Sequence, residues 1–255
     1  MFIEPKEGRT FGDISSLYDT ARTTYPDTLI EDIVSYAKIR NNGNVLDVGC
    51  GTGKTTLPFA QKGYSVTGLD ISKEMIRRAE ERCSSFPKVN FKIGTFENFP
   101  SSPALFDLII SGMAWHWIHP QEREEKAHRI LKNGGTLALF WSYQRKEDSD
   151  FVMNASKILD RYGGPDRGPA GSRVKQIADS LHTKLREERL FSDIEMKTYK
   201  EDLEFSKQRY LDLVVSYGWV QGLSKEARGS MLQDLQGLCY EEPLQIPYQH
   251  LSLLA

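Results

Sequence analysis

The patterning of the chain predicts an α/β architecture: a doubly wound, mostly parallel seven-stranded sheet, with helices on both faces and a helical cover over one end. Three observations carry that expectation. Apolar runs of strand length alternate with helical stripes between residues 28 and 141. The first strand, Val45-Leu46-Asp47-Val48, runs directly into Gly49-Cys50-Gly51-Thr52-Gly53, a turn whose glycines reach backbone angles other residues avoid and let a ligand touch the main chain. Beyond residue 150 the alternation loosens into helical stretches and two further strands, the pattern of a cover added to a sheet.

The whole chain sets the outer bounds. At 255 residues it is expected to be one domain, with an N-terminal lid and helix over 1–40, a ligand-binding core over 41–141 and a cover with the last strands over 142–255. Apolar content of 39% and charged content of 27% suit a globular protein in water. Thirty-three basic residues face 35 acidic ones, a net charge of −2, so no overall field favours nucleic acid or an anionic membrane. Cys50, Cys83 and Cys239 are scattered without a C-x-x-C pair, which argues for a reducing compartment and against a disulfide frame or metal centre. The chain opens on charges and Pro5 rather than an apolar signal core, and no apolar run approaches the ~20 residues of a spanning helix. A cytoplasmic protein is expected; the composition says nothing of oligomeric state.

Taken in order, Leu29, Ile30, Ile33, Val34 and Ala37 form a helical stripe over 28–39, with Asp27 as its expected N-cap. Asn41 to Asn44 is a turn into the first strand. A helix over Lys54–Gln61 follows the glycine turn, stopped by Gly63. Tyr64–Leu69 is a second strand, and Ser72 can cap a helix striped by Met75, Ile76, Ala79 and Cys83. Val89, Phe91 and Ile93 alternate as a third strand, and Phe106–Ser111 is apolar enough for a fourth, buried on both faces. Pro120 opens a helix to Leu131, Asn133-Gly134-Gly135 ends it, and Thr136–Trp141 is a fifth strand. Later come a helix over 151–160, a strand through Ile194, Met196 and Thr198, helices started by Ser206 and Ser224, and a last strand through Leu244, Ile246 and Tyr248.

The glycine turn admits three ligand readings. G-x-G-x-x-G from Gly49 would need a glycine where Lys54 stands. G-x-x-x-x-G-K-[ST] matches Gly53-Lys54-Thr55 at its end but has Val48 where its first glycine belongs, so the loop is one residue short. D-x-G-x-G-x-G is complete in Asp47, Gly49, Gly51 and Gly53. Asp70 ends the second strand 23 residues after Asp47, where a carboxylate accepts both hydroxyls of a ribose. Otherwise Asp70 is a solvated residue flanking a helix. Ile71 can pack on a base, whereas Met75 fits the core stripe better.

The D-x-G-x-G-x-G turn resembles the first motif of class I S-adenosylmethionine-dependent methyltransferases, a Rossmann-like family. That resemblance implies S-adenosyl-L-methionine as cofactor, held by Asp47, Gly49, Cys50, Gly51, Gly53, Asp70, Ile71 and Ser111. Gly94 to Pro100 is similar to the segment that reads adenine, with Thr95, Phe96 and Glu97 as candidates. Thr95 stands where many members carry aspartate, which moves the amine contact toward the Phe96 backbone or Glu97. Ser111 to Trp117, with Pro120 and the two glycines after Asn133, resembles the type-11 branch with its trans-aconitate-methyltransferase-like members. That implies a small-molecule acceptor, with a carboxylic acid as the favoured class, and an acceptor site near Trp115, His116 and Trp117. His116 is either a general base or a residue that orients its loop. The run Tyr18 to Pro26 resembles the branch's closing segment, with Tyr18, Arg22 and Tyr25 over cofactor or acceptor. The Asn/Asp-Pro-Pro-aromatic motif of base methyltransferases is absent. A nucleotide-binding module built on Lys54, and a non-catalytic binding subunit of the same fold, are the alternatives.

Overall fold

The computed structural model describes residues 15–164, 172–239 and 242–255. Seven strands form a single sheet in the order β3-β2-β1-β4-β5-β7-β6. They are β1 (Asn44–Val48), β2 (Ser65–Asp70), β3 (Val89–Ile93), β4 (Phe106–Gly112), β5 (Leu131–Gln144), β6 (Glu195–Phe205) and β7 (Leu244–Leu254). β1 to β5 pair in parallel, whereas β7 runs antiparallel to both β5 and β6. The sheet is therefore mixed. A strand that closes a chain inside a hairpin must reverse, whereas each earlier parallel pair is joined by a crossover.

Alternation along the inner strands sends their side chains to two cores. Val45, Val66, Leu108, Ile110 and Phe140 pack under α2 (Asp27–Ala37) and α3 (Thr56–Gln61). Leu46, Ile109, Leu139 and Trp141 face the other way, with Ala127 and Ile130 of α5 (Arg123–Ile130) and Ala178, Leu181 and Leu185 of α7 (Ser172–Glu188). A third core joins α6 (Asp150–Arg161), α8 (Lys207–Val215) and, past the short α9 (Gly218–Gln221), α10 (Lys225–Leu238) to the adjoining ends of β6 and β7, through Phe205, Tyr210, Met231, Leu235 and Ile246. It lies beyond the carboxyl ends of β1, β4 and β5, so it covers the end of the sheet where open α/β folds bind ligands.

Ser72, Ser206 and Ser224 each accept a hydrogen bond from a backbone N–H of the helix they precede, as capping predicts. Several expected boundaries moved, among them the start of β5, which takes in Leu131 to Gly135 where a helix end and a turn were expected. Pro26 occupies the cap position of α2 and Asp27 is its first residue, where a carboxylate complements the helix dipole. The helix expected from Lys54 begins at Thr56, and the one expected from Pro120 begins at Arg123 after a left-handed Glu122. α1 (Ser15–Ala21) was not foreseen. Among the described residues, no helix is long and apolar enough to cross a membrane.

Candidate functional site

The glycine turn is held from behind by a buried carboxylate. Asp47 is fully buried on β1, and its Oδ2 accepts hydrogen bonds from the hydroxyls of Thr55 (2.5 Å) and Thr56 (2.7 Å). Its Oδ1 has no hydrogen-bond partner among the described residues. Burial pushes the Asp47 carboxyl up to about 6, against the opposing pull of the two threonine hydroxyls. From in front, the Gly51 N–H donates to Asp70 Oδ2 at 3.0 Å and the Ser72 N–H donates to Asp70 Oδ1 at 2.8 Å. Two sequence-distant strand ends are thus tied at one carboxylate. Burial raises Asp70 as well, and those backbone donors oppose the shift.

Gly51 has φ of +54° and nothing within 4 Å of where a Cβ would stand, so its face opens into space. That space is a cavity of about 990 Å³ at the carboxyl ends of the strands. Gly49, Gly51, Asp70, Ile71, Thr95, Phe96 and Glu97 line one side of it; His116, Trp117 and Arg22 line it nearer the cover. The volume is at the upper end of that of drug-sized pockets, enough for a nucleoside-sized ligand and a second small molecule.

Other candidates stand behind the wall. Ser111 is fully buried and donates from Oγ to the Val48 carbonyl at 2.8 Å, stitching β4 to β1. Gly53 packs against Ala79 of α4 (Lys73–Arg82), where a Cβ would meet that residue at 3.2 Å. Cys50 is buried, its thiol pushed well up by burial, and lines a smaller adjoining cavity of about 90 Å³ with Tyr25, Lys54 and Arg22. Trp115 lies in the core, not on the cavity wall: it is fully buried, donates to Glu124 Oε1 at 3.2 Å and packs on Phe96. Its neighbour Trp117 faces the cavity because the short 3-10 turn Trp115–Trp117 sends successive side chains in different directions. The side chain of Tyr18 lies outside the described residues.

The N-terminal segment docks across this loop. Thr52 Oγ1 donates to Asp19 Oδ1 at 2.6 Å, and Arg22 Nε donates to Ser216 Oγ at 3.0 Å with its guanidinium 4.9 Å above the Tyr217 ring. Lys54 Nζ donates to the Arg22 carbonyl, and burial pulls its ammonium down to about 8. A lysine committed to a main-chain carbonyl, on a loop one residue short, does not make a phosphate cradle.

The turn carrying His116 is braced by a cluster the sequence did not announce. Arg123 and Glu124 are buried and paired, Arg123 Nη1 donates to the carbonyls of Trp115 (3.1 Å) and Ile118 (2.9 Å), and Lys184 of α7 donates to Glu124 Oε2 at 2.6 Å. Lys126 Nζ reaches the Glu97 carbonyl at 2.8 Å, and Glu97 Oε1 accepts from the His119 N–H at 2.9 Å. Trp141 Nε1 donates to His116 Nδ1 at 3.3 Å. An indole N–H only donates, so Nδ1 is the acceptor and the neutral ring carries its proton on Nε2.

Cavity residues outside the expected set include Met113, Ser142, Tyr143, Gln144, Arg173 and Trp219. Ser142 to Gln144 could have been found, since they end a recognisable strand, whereas Arg173 and Trp219 come from the cover, where no motif marks them.

Residues 45–135 match the family model described as methyltransferase domain. The chain is similar to an uncharacterised methyltransferase of Mycobacterium tuberculosis, 31% identical over 158 residues, covering 62% of each chain. An uncharacterised methyltransferase of Schizosaccharomyces pombe is 29% identical over 160 residues, again 62% of each. The match therefore spans under two thirds of these relatives' length. Among solved structures, an S-adenosylmethionine-dependent methyltransferase from Thiobacillus denitrificans, in complex with S-adenosyl-L-homocysteine, shares the fold with a TM-score of 0.56 at 16% identity, covering 99% of both chains.

Proposed function

We infer that this chain is a class I S-adenosylmethionine-dependent methyltransferase, a reading that its match to a methyltransferase domain over residues 45–135 supports, and that it transfers a methyl group from that cofactor to a small-molecule acid. One observation carries the fit to the cofactor: the open, left-handed Gly51 sits hydrogen-bonded to the strand-end carboxylate of Asp70 on the wall of the large cavity. Each Asp70 oxygen keeps a lone pair beyond the one its backbone donor uses, and those lone pairs suit the two ribose hydroxyls. Ile71 and Phe96 would flank the adenine, with Thr95 and Glu97 at its amine. Gly49 and Gly51 would border the methionyl chain, whose carboxylate Arg22 can meet. Asp47, Cys50, Gly53 and Ser111 hold the loop and strands from behind rather than lining the large cavity.

When bound, the cofactor supplies an electrophilic methyl group on a sulfonium, so the protein's share is orientation and exclusion of water. On the cover side, Lys146 and Arg173 outnumber Asp160, the one carboxylate there among the described residues, which supports an anionic acceptor. The His116-Trp117 pair, with Pro120 and Gly134-Gly135, supports the type-11, trans-aconitate-methyltransferase-like branch. Calorimetry should give tighter binding for S-adenosylmethionine or S-adenosylhomocysteine than for ATP or NAD; the reverse order refutes the assignment.

Asp70→Ala is expected to weaken S-adenosylhomocysteine binding by about 1.5–3 kcal/mol, the range for hydrogen bonds to a charged group. Unchanged affinity by calorimetry would remove Asp70 from the ribose role. His116, with its proton held on Nε2, donates to the acceptor and does not deprotonate it. His116→Asn keeps a donor and should lower turnover about tenfold, the scale of one hydrogen bond, with cofactor affinity unchanged. A thousandfold loss with a new titration in the activity profile would make His116 the base.

A further inference from the structure

Ser142, His250 and Glu201 form a hydrogen-bonded row across three neighbouring strands. Ser142 on β5 pairs in register with His250 on β7, and Ser142 Oγ lies 2.7 Å from His250 Nδ1. His250 Nε2 lies 2.7 Å from Glu201 Oε1 on β6, the edge strand. The row runs outward from the cavity: Ser142 lines it, His250 is fully buried, and the Glu201 side chain is 28% exposed. Glu201 only accepts when ionised, so the neutral imidazole carries its proton on Nε2, and Nδ1 accepts from the Ser142 hydroxyl. Ser142 Oγ therefore keeps its own lone pairs for a donor in the cavity. His116 does not compete for this role, because Trp141 donates to its Nδ1 and the neutral ring then holds its proton on Nε2, leaving no nitrogen to take one from the acceptor.

We propose that the Ser142–His250–Glu201 row takes the proton of a hydroxyl acceptor, so that the acid bound in this cavity is methylated on a hydroxyl and its carboxylate is a handle. The proposal rests on the methyltransferase reading of the same cavity. The net change is R–OH plus methyl sulfonium giving R–OCH3, thioether and a proton: the oxygen–carbon bond forms, and the carbon–sulfur pair returns to sulfur. The acceptor proton passes to Ser142 Oγ as the Ser142 proton passes to His250 Nδ1. The imidazolium is held against the Glu201 carboxylate; once the ether leaves, its Nδ1 proton returns to Ser142 Oγ as the Ser142 proton passes to water in the cavity, which restores the resting ring. A carboxylate nucleophile releases no proton and has no use for such a row. Burial lowers the His250 ring below its ordinary value and the Glu201 carboxylate opposes the shift, so the resting ring is neutral at pH 7. The other groups facing it are Tyr199 of β6, Tyr248 of β7 and the Tyr25 ring.

The test uses the full chain, tritiated S-adenosylmethionine and paired probes: para-hydroxybenzoate against benzoate, and lactate against propionate. Ethers should form from the hydroxy acids and nothing from their partners. Ser142→Ala and Glu201→Gln should lower kcat by about a hundredfold or more, the scale of general-base catalysis, with KM and cofactor affinity little changed. Wild-type kcat should fall on the acid side as His250 takes a proton, and Glu201→Gln should move that limb to lower pH. Nitrogen NMR of histidine-labelled protein should show His250 protonated on Nε2 and bare on Nδ1, with no acceptor needed. If His250→Gln fails to fold, the other two variants still carry the test. Methyl esters from both series, unchanged kcat in the variants, or an Nδ1-protonated His250 would each overturn the relay. So would cofactor binding without transfer to any probe, whereas no cofactor binding at all would sink the methyltransferase reading itself.

Discussion

Replacing Gly51 by valine is expected to weaken S-adenosylmethionine binding by more than about a hundredfold, since the side chain would fill the space the ligand needs. Gly51 has φ of +54°, a region that β-branched residues avoid. Its Cβ position is open only because it faces the cavity, so a valine there would occupy ligand volume without clashing with protein. Thermal unfolding should therefore shift modestly while calorimetry loses its signal. Binding at wild-type strength would show that the ligand lies elsewhere.

Glu124→Ala is expected to destabilise the fold by about 3–5 kcal/mol, the cost of removing one partner from a buried ion pair. The Glu124 side chain is 1% exposed, and its loss strands the buried guanidinium of Arg123, 9% exposed, along with the Trp115 indole N–H and Lys184. Denaturant midpoints measure this directly. Arg123 also holds the carbonyls of Trp115 and Ile118, so the turn presenting His116 and Trp117 should loosen. Acceptor KM should rise while cofactor affinity stays near wild type. A loss below about 1 kcal/mol, the scale of an exposed pair, would mean the cluster is solvated.

Hydrophobic periodicity and local turn chemistry act over neighbouring residues, so they were legible. The five parallel strands, the serine caps at 72, 206 and 224, the glycine turn and the strand-end carboxylate at Asp70 all follow from them. The cover was legible only as helical stretches, because motifs mark a loop that must fit a common ligand and nothing marks a wall that fits a particular one. The helix at 172–188 was not separated from its surroundings for the same reason.

What the sequence by itself determined is the α/β order, the turn at Asp47 to Gly53 and the acidic residue that faces it, since each depends on spacing along one strand–turn–helix unit. The partition of Trp115 to the core and Trp117 to the cavity was decided by tertiary structure, through Glu124 and Arg123. So was the burial of Arg123, Glu124 and Lys126 on a helix whose sequence reads as solvated. Ser142, Glu201 and His250 meet because β7 reverses direction between β5 and β6. Residues that far apart in the chain carry no common spacing, and only the register of three paired strands brings them within hydrogen-bond distance.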